Sequence, residues 1–170
     1  LIFSKRALQT LPSIVEYIDE NADSRGHTLR DLAKKAATEA FISPRSGLLV
    51  ARPTTPEGSS NADAQANNLI PKILHYRYED VIDNVEKLSL VVLMEQKTKR
   101  TGYKIELEYQ FRVLELIDGV YHQSLYNDAG AIVNESAPVI INNIKSREIP
   151  FYFIEVGAEG KAVVNDLADM

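Results

Sequence analysis

The chain has 170 residues and a formal net charge of −5, with 45% apolar and 25% charged residues. This balance is typical of one globular domain that buries its own core, and the excess of acidic residues argues against tight sequence-independent binding of DNA. Cysteine is absent, which excludes disulfide frameworks, thiolate nucleophiles and cysteine-ligated zinc. The longest apolar runs are too short to cross a bilayer, so no membrane partner is expected.

Two helices are predicted in the first third of the chain. The first covers about residues 11–22, and Gly26 can adopt the left-handed conformation that closes the segment after it. The second starts at Thr28, whose hydroxyl can cap the helix, has Asp31 in its first turn, and ends near Ser43. Its continuous apolar stripe consists of Leu29, Leu32, Ala33, Ala36, Ala37, Ala40 and Phe41.

From Gly47 onwards the hydrophobic period changes to that of strands. Strand candidates lie at residues 48–51, 73–77, 88–95, 120–126, 131–135, 139–144 and 151–156. Residues 96–102, "QKTKRTG", are predicted as a loop between two antiparallel strands. Asp118 and Gly119 predict a type I′ hairpin turn, because that turn needs positive φ at both central positions.

The strand that follows this loop alternates apolar and polar residues, which predicts one dry face and one solvated face. The apolar set is Ile105, Leu107, Tyr109, Phe111 and Val113, and the polar set is Glu106, Glu108, Gln110 and Arg112. Val113 and Leu114 are both apolar, so the alternation shifts between them. The shift indicates either a bulge or a strand that is buried on both faces beyond this point.

Residues 51–68, "ARPTTPEGSSNADAQANN", contain almost nothing that could pack. The helices and the single strand before this stretch need the later strands to complete a sheet, because they cannot pair their backbone alone. We therefore predict one α+β domain over residues 1–170, with an N-terminal helical hairpin packed on one continuous, mainly antiparallel sheet or meander. Residues 53–68 are predicted as a long surface loop inside this domain. Because the chain opens at Leu1 and not at a methionine, we expect it to be an internal piece of a longer protein.

The motifs of common catalytic and cofactor sites do not occur in the sequence. We assign no catalytic, cofactor-binding or metal-binding residue, and we expect neither a cofactor nor enzymatic activity. The histidines His27, His75 and His122 are not spaced as metal ligands on one element.

Three strand carboxylates, Glu106, Glu108 and Glu115, could supply an acid–base pair. Alternate positions on a strand whose other face is apolar are, however, typical of a solvated face. We therefore interpret these carboxylates as surface residues.

The densest cationic cluster contains Lys97, Lys99 and Arg100, inside the predicted loop. Two interpretations stay open for it: a solvated turn, or a contact for phosphate or for an acidic partner.

Two tyrosines, Tyr76 and Tyr78, flank Arg77 and could stack on nucleic-acid bases. Aromatic residues in strands usually contribute to packing, which is the interpretation we favour.

Several segments, in this order along the chain, resemble a family of tailed-bacteriophage and prophage proteins related to portal proteins. They are "SRGHTLRDLAKKAATEAFISPRSGLLVARP", "TTPEGSSNADAQANNLIPKILHYRYEDVIDN", "LSLVVLME", "YQFRVLELIDGVY", "IPFYFIEVG" and "NDLADM". The resemblance covers nearly the whole chain, and the order of the segments is more specific than any one of them. In this family the stretch at 53–68 resembles a recurrent insertion.

The resemblance implies a structural module from the peripheral, wing-like α+β region of a portal-like protein. Such proteins form a ring at one capsid vertex, through which double-stranded DNA passes without sequence-specific binding. The implied partners are further copies of the chain, terminase, and neck, tail or scaffolding proteins. The implied location is the virion and, during assembly or as a prophage product, the cytoplasm of the bacterial host. No catalytic residue or cofactor is implied, because the ATPase of the packaging motor is a separate protein.

Two other classes of function stay open. One is a small-ligand-binding or enzymatic α+β domain in which the loop at 53–68 acts as a lid over a pocket. The other is a protein-binding module that uses an exposed strand edge.

Overall fold

The computed structural model describes residues 16–52, 70–84, 88–141 and 144–155. Over this part of the chain the protein is α+β and mostly strand, with two short helices and two larger antiparallel sheets of three and five strands. The helices are α1 (Tyr17–Glu20) and α2 (Leu29–Ile42). The strands are β1 (Arg45–Ala51), β2 (Lys72–Tyr76), β3 (Val81–Asn84), β4 (Leu90–Thr101), β5 (Lys104–Ile117), β6 (Val120–Asn127), β7 (Ile132–Pro138), β8 (Ile140–Ile141), β9 (Ile144–Lys145) and β10 (Phe151–Glu155).

The described residues divide into two compact units. The first unit contains residues 16–51, 71–78 and 152–155, and the second contains the remaining described residues, mainly 79–151. The expectation of one continuous sheet was wrong, since the strands form a sheet of order β10-β1-β2, a sheet of order β3-β4-β5-β6-β7 and a small β8-β9 pair. The prediction of a single domain over residues 1–170 stays a prediction.

Helix α2 of the first unit begins and ends where the sequence predicts. The Thr28 hydroxyl accepts a hydrogen bond from the Asp31 amide at 3.1 Å, and the Asp31 carboxylate accepts one from the Thr28 amide at 3.2 Å. This reciprocal capping box satisfies two of the amides that a helix start leaves unpaired. The helix stops at its C-cap, Ser43, because Pro44 follows.

The shorter helix α1 coincides with part of the first predicted helix. It spans Tyr17–Glu20, and residues 11–15 of the prediction lie outside the described residues. Neither described helix is long and apolar enough to cross a membrane.

One side of α2 faces the first sheet. Leu32, Ala36 and Ala40 are buried, and small alanines allow the helix to approach strands β1 and β2 closely. The prediction extended this stripe to Phe41, but Phe41 is exposed near the end of the helix. The core of the first unit also includes Leu49 of β1.

Strands β1 and β2 pair antiparallel, from Gly47 opposite Tyr76 to Ala51 opposite Lys72. The strand before the predicted loop thus pairs with the strand after it, as the pairing argument requires. The loop itself, 53–68, lies outside the described residues.

The second unit is built on an antiparallel meander. Asp118 and Gly119 have φ of 52° and 71° and connect β5 to β6, which confirms the predicted turn. The predicted loop at 96–102 was wrong, because β4 continues to Thr101 and only Gly102 and Tyr103 lie between it and β5. Gly102 has φ of 62°, as the first central position of a type II′ turn requires.

Strand β5 pairs with β4 in an unbroken register from Leu90 opposite Glu115 to Thr101 opposite Lys104, so the bulge, one of the two alternatives left open by the sequence, is absent from this ladder. Directly opposite residues share a face of the sheet. We name the two faces after β5: its odd-numbered residues and their cross-strand partners form the odd face, and its even-numbered residues form the even face. The shift after Val113 marks the place where the apolar residues of β5 pass from the odd face to the even face.

The buried centre of this sheet is on the even face, at the end where β4, β5 and β6 lie side by side. We call this end the base; it contains the fully buried side chains of Val91, Leu93 and Leu114, beside Tyr121. Burial raises the pKa of the Tyr121 phenol to about 12. The base is therefore a dry core with a neutral phenol.

Candidate functional site

Residues 95–109 form a two-stranded ribbon that extends beyond the base, and we call it the arm. Among the described residues, β3 pairs with β4 only over Val91–Leu93, and β6 pairs with β5 only over Gln110–Ile117. The long alternating sequences of both strands and the tight turn at Gly102 produce the arm locally. An isolated two-stranded ribbon is marginally stable in water, so the arm depends on its continuity with the base for its order.

The apolar residues of the arm are exposed on its odd face. Ile105 is 66% exposed, Leu107 59% and Tyr109 42%. The prediction of a dry face for this strand was therefore wrong over the arm. Apolar side chains lie on the odd face of the arm, whereas the sheet has its buried core on the even face of the base.

The predicted cationic residues Lys97, Lys99 and Arg100 lie in strand β4, on the arm. The Lys99 amine donates to a Glu108 carboxylate oxygen at 2.7 Å, and this hydrogen bond raises the pKa of Lys99. The Nε of Arg100 donates to the Gly102 carbonyl at 3.1 Å. The contact of this cluster with phosphate or an acidic partner stays a prediction.

Two of the three strand carboxylates, Glu106 and Glu108, belong to the even face of the arm. Lys97 lies opposite Glu108 and Lys99 opposite Glu106, and the Glu106 carboxylate also forms an ion pair of 2.6 Å with Lys104. The even face of the arm therefore carries lysines along β4 and glutamates along β5, with Lys104 next to the turn.

A polar cluster joins the arm to the base. The guanidinium of Arg112 donates to both carboxylate oxygens of Glu95, at 2.6 and 3.0 Å, and Gln110 donates to one of them at 2.7 Å. Both charged side chains are largely buried, so this bidentate pair is stronger than an exposed ion pair. Sequence reasoning missed it, since it interpreted Arg112 as part of a solvated face.

The loop before α2 contains a second polar cluster. Asp23 is buried, and its carboxylate accepts hydrogen bonds from the amides of Arg25 and His27. The other carboxylate oxygen lies 2.6 Å from Nδ1 of the His27 ring. Burial acts to raise the pKa of Asp23, but these hydrogen bonds outweigh it and hold the pKa below its ordinary value. The amide of Ile73 in β2 donates to the carbonyl of Ala22 at 2.8 Å, which links this loop to the first sheet.

A third cluster brings together His122, Ser136 and Glu115 from three neighbouring strands. The Ser136 hydroxyl lies 3.3 Å from His122 Nδ1 and 3.4 Å from a Glu115 oxygen. In a nucleophilic triad the imidazole stands between the hydroxyl and the carboxylate, whereas here the hydroxyl contacts both other groups. The contacts are long, and the serine is exposed. This arrangement is a hydrogen-bonded surface cluster.

Two concavities adjoin α2 in the first unit. One has a volume of about 330 Å³ and is cationic; it is lined by Lys34, Lys35, Thr38, Glu39, His75 and Arg77. The other has a volume of about 240 Å³ and is apolar; it is lined by Leu29, Leu32, Ala33, Ala36, Leu48, Ile73 and Ile154. Among the residues that the structure describes, no group of three or more His, Asp or Glu side chains could hold a metal ion.

The tyrosines around Arg77 differ in exposure. Tyr76 is buried in the core of the first unit, as the packing interpretation expects, and Tyr78 is exposed. The Arg45 guanidinium lies 5.8 Å from the centre of the Tyr78 ring and 4.5 Å from that of Phe153. Arg45 therefore holds these rings by cation–π contacts.

No protein-family model matches the chain, and no curated protein matches it.

Proposed function

We propose that this chain is a structural module of a phage portal-like protein, the ring at a capsid vertex through which DNA is packaged and ejected. Its fold in this proposal is the wing-like α+β region, with an N-terminal helical hairpin beside antiparallel sheet. Its partners are further copies of the chain, terminase, and neck, tail or scaffolding proteins, and DNA passes it without sequence-specific binding.

The ordered segments that resemble the portal-related family support this proposal. The first of them covers α2 and β1, "LSLVVLME" begins β4, "YQFRVLELIDGVY" contains the turn between β5 and β6, and "IPFYFIEVG" contains β10. The segments thus coincide with structural elements and their turns, where sequence is most constrained by folding.

The single observation that carries the proposal is the exposed apolar face of the arm. Ile105, Leu107 and Tyr109 lie on the ribbon with 66%, 59% and 42% of their surface accessible. Exposed apolar groups that lie together are typical of surfaces that bind other proteins. A protein that works by assembly covers such a surface with its partners.

The ring is tested with the complete gene product. We expect closed rings in negative-stain electron microscopy, because a portal acts only as a closed oligomer. A strictly monomeric product at high concentration would contradict the proposal.

The passage of DNA gives a second test. At a net charge of −5, we expect no retention of the 170-residue chain on double-stranded DNA at physiological salt, because retention needs clustered cations that displace counterions. Micromolar affinity in an electrophoretic shift assay would count against a surface past which DNA slides.

A second candidate function is binding of a small ligand, and the cationic cleft beside α2 is the observation that favours it. Lys34, Lys35 and Arg77 line it together with a threonine hydroxyl, which is a suitable set for an oxyanion. Saturable binding of inorganic phosphate in calorimetry, lost in Lys34→Glu and kept in Lys104→Glu, would favour this function. The loop at 53–68 as a lid stays a prediction.

A further inference from the structure

The arm presents two strand edges that no described strand covers. The outer edge of β4 runs through residues 96–101, and the outer edge of β5 runs through residues 104–109. Unpaired backbone amides and carbonyls along such edges are a template for pairing with another chain. The chemistry of the side chains beside each edge determines which chain that can be.

The two edges carry opposite charges on the even face. Lys97 and Lys99 stand along β4, and Glu106 and Glu108 stand along β5. A β4 edge against another β4 edge would bring lysines together, and a β5 edge against another β5 edge would bring glutamates together. Like charges directly opposite each other destabilise a strand pair, so both symmetric pairings are disfavoured.

The remaining combination is favourable. When β5 of one copy lies beside β4 of the next at the same height, it repeats the register of the hairpin itself, where Lys97 faces Glu108 and Lys99 faces Glu106. The strands are antiparallel in that arrangement, because β4 runs towards the tip of the arm and β5 runs back. Lys97, Lys99, Glu106 and Glu108 then each have an opposite charge across the new pair.

The same pairing also covers apolar surface on the odd face. Within the hairpin, Thr98 lies beside Leu107 and Arg100 beside Ile105. A neighbouring copy sets a second threonine and a second arginine stem along the other side of these exposed apolar residues. Part of the exposed apolar surface is covered without any change in the fold of the arm.

We infer that copies of this chain associate head to tail through their arms, with the β5 edge of one copy pairing with the β4 edge of the next. The contact uses two different edges, so it is heterologous and generates a ring if the rotation closes. The inference rests on the proposed function in that copies of the chain meet in a ring, and it names the surface through which they meet.

The test exchanges the charges of the two strands in one variant. Lys97→Glu, Lys99→Glu, Glu106→Lys and Glu108→Lys together leave the net charge unchanged and keep opposite charges across the hairpin, so the arm still folds. The variant can pair with itself, but its acidic β4 edge repels the acidic β5 edge of the wild type, and its basic β5 edge repels the basic β4 edge of the wild type. The complete gene product is made in both forms, one of them isotopically labelled, and the two are mixed, dissociated and reassembled.

Native mass spectrometry then counts mixed assemblies. We expect each form to assemble with itself and mixed species to fall at least roughly tenfold below the statistical proportion, since like-charge contacts suppress wrong partners. Free mixing overturns the inference and leaves the proposed ring intact, whereas a wild type that stays monomeric overturns both. Homotypic assemblies that weaken as salt is raised support the inference, because exposed charge pairs are screened.

A pair of half-variants gives a second readout. Lys97→Glu with Lys99→Glu makes both edges acidic, and Glu106→Lys with Glu108→Lys makes both edges basic. Each half-variant alone should lose assembly, and an equimolar mixture should recover it in alternating order. Assembly of either half-variant alone at wild-type level would overturn the inference.

Discussion

The base and the arm of the five-stranded sheet share strands β4 and β5, but the base buries apolar residues of the even face, whereas the arm exposes apolar residues of the odd face. At the base, Leu114 on the even face is completely buried. On the arm, Leu107 on the odd face of the same strand is 59% exposed. The alternation of apolar and polar residues therefore identifies two faces of a strand, but it does not tell which face the molecule covers.

The polar cluster at residues 95, 110 and 112 lies at the border between the buried base and the exposed arm. Glu95 and Arg112 are on the even face, between the apolar side chains of the base and the exposed charges of the arm. The pair satisfies its own hydrogen bonds at the border of the core, where water is only partly available. The pair thus marks the boundary between the dry core of the base and the solvated ribbon of the arm.

The largest expected effect on stability is a difference between two leucines of strand β5. Leu114→Ala should lower the free energy of unfolding by about 2–5 kcal/mol, because it leaves a cavity in a packed core. Leu107→Ala, the matched control on the arm, should change it by no more than about 0.5 kcal/mol. Urea denaturation followed by circular dichroism measures both. Equal losses would mean that the arm is packed as tightly as the base.

The cluster at the border should give the next largest effect. Glu95→Ala should lower the free energy of unfolding by about 1–3 kcal/mol, because it leaves the Arg112 guanidinium partly buried without this acceptor. The double variant Glu95→Ala/Arg112→Ala should cost less than the sum of the two single changes, since each single change already removes the pair. Glu106→Ala on the exposed arm should leave the denaturation midpoint unchanged. Additive single changes in the cycle would contradict the coupling.

A buried carboxylate of the first unit should make stability depend on pH. The pKa of Asp23 is lower in the folded chain than its ordinary value of 3.8, so its stabilisation is fully present above about pH 4 and disappears as the pH falls through the folded pKa. Asp23→Asn should therefore lower the free energy of unfolding by about 1 kcal/mol near neutral pH, and by progressively less as the pH falls. Thermal denaturation between pH 7 and pH 3 measures the difference, with exposed Asp19→Asn as control. A cost that grows as the pH falls would reverse the expected sign.

The smallest effect is expected for the exposed ion pair of the arm. Lys99→Ala removes the 2.7 Å contact with Glu108, but both side chains are exposed to water. Exposed pairs contribute little, and salt screens them. We expect no measurable shift of the denaturation midpoint in low or high salt. A clearly lower denaturation midpoint at low salt would show that the arm depends on this ion pair for its stability, and it would contradict the expectation based on the exposure of both side chains.

Local features of the fold could be predicted from the sequence because their causes lie within a few residues. Thr28 and Asp31 cap α2 through contacts across one turn, and Asp118 and Gly119 form a turn that few other residue pairs favour. The apolar alternation of β5 likewise identified a long strand. The candidate cations Lys97, Lys99 and Arg100 could be picked out as a cluster, although their place in a strand could not.

The sequence by itself thus determined the boundaries of α2, the tight turn after β5 and the mixed α+β class, because propensity, capping and turn chemistry act over short distances. Only the tertiary structure decided that the strands divide into separate sheets, that β4 continues through the predicted loop, and that Glu95 meets Arg112. It also decided that the apolar face of the arm is exposed while the even face of the base is buried. These features depend on which strands lie next to one another, and hydrophobic periodicity contains no information about neighbours that are distant along the chain.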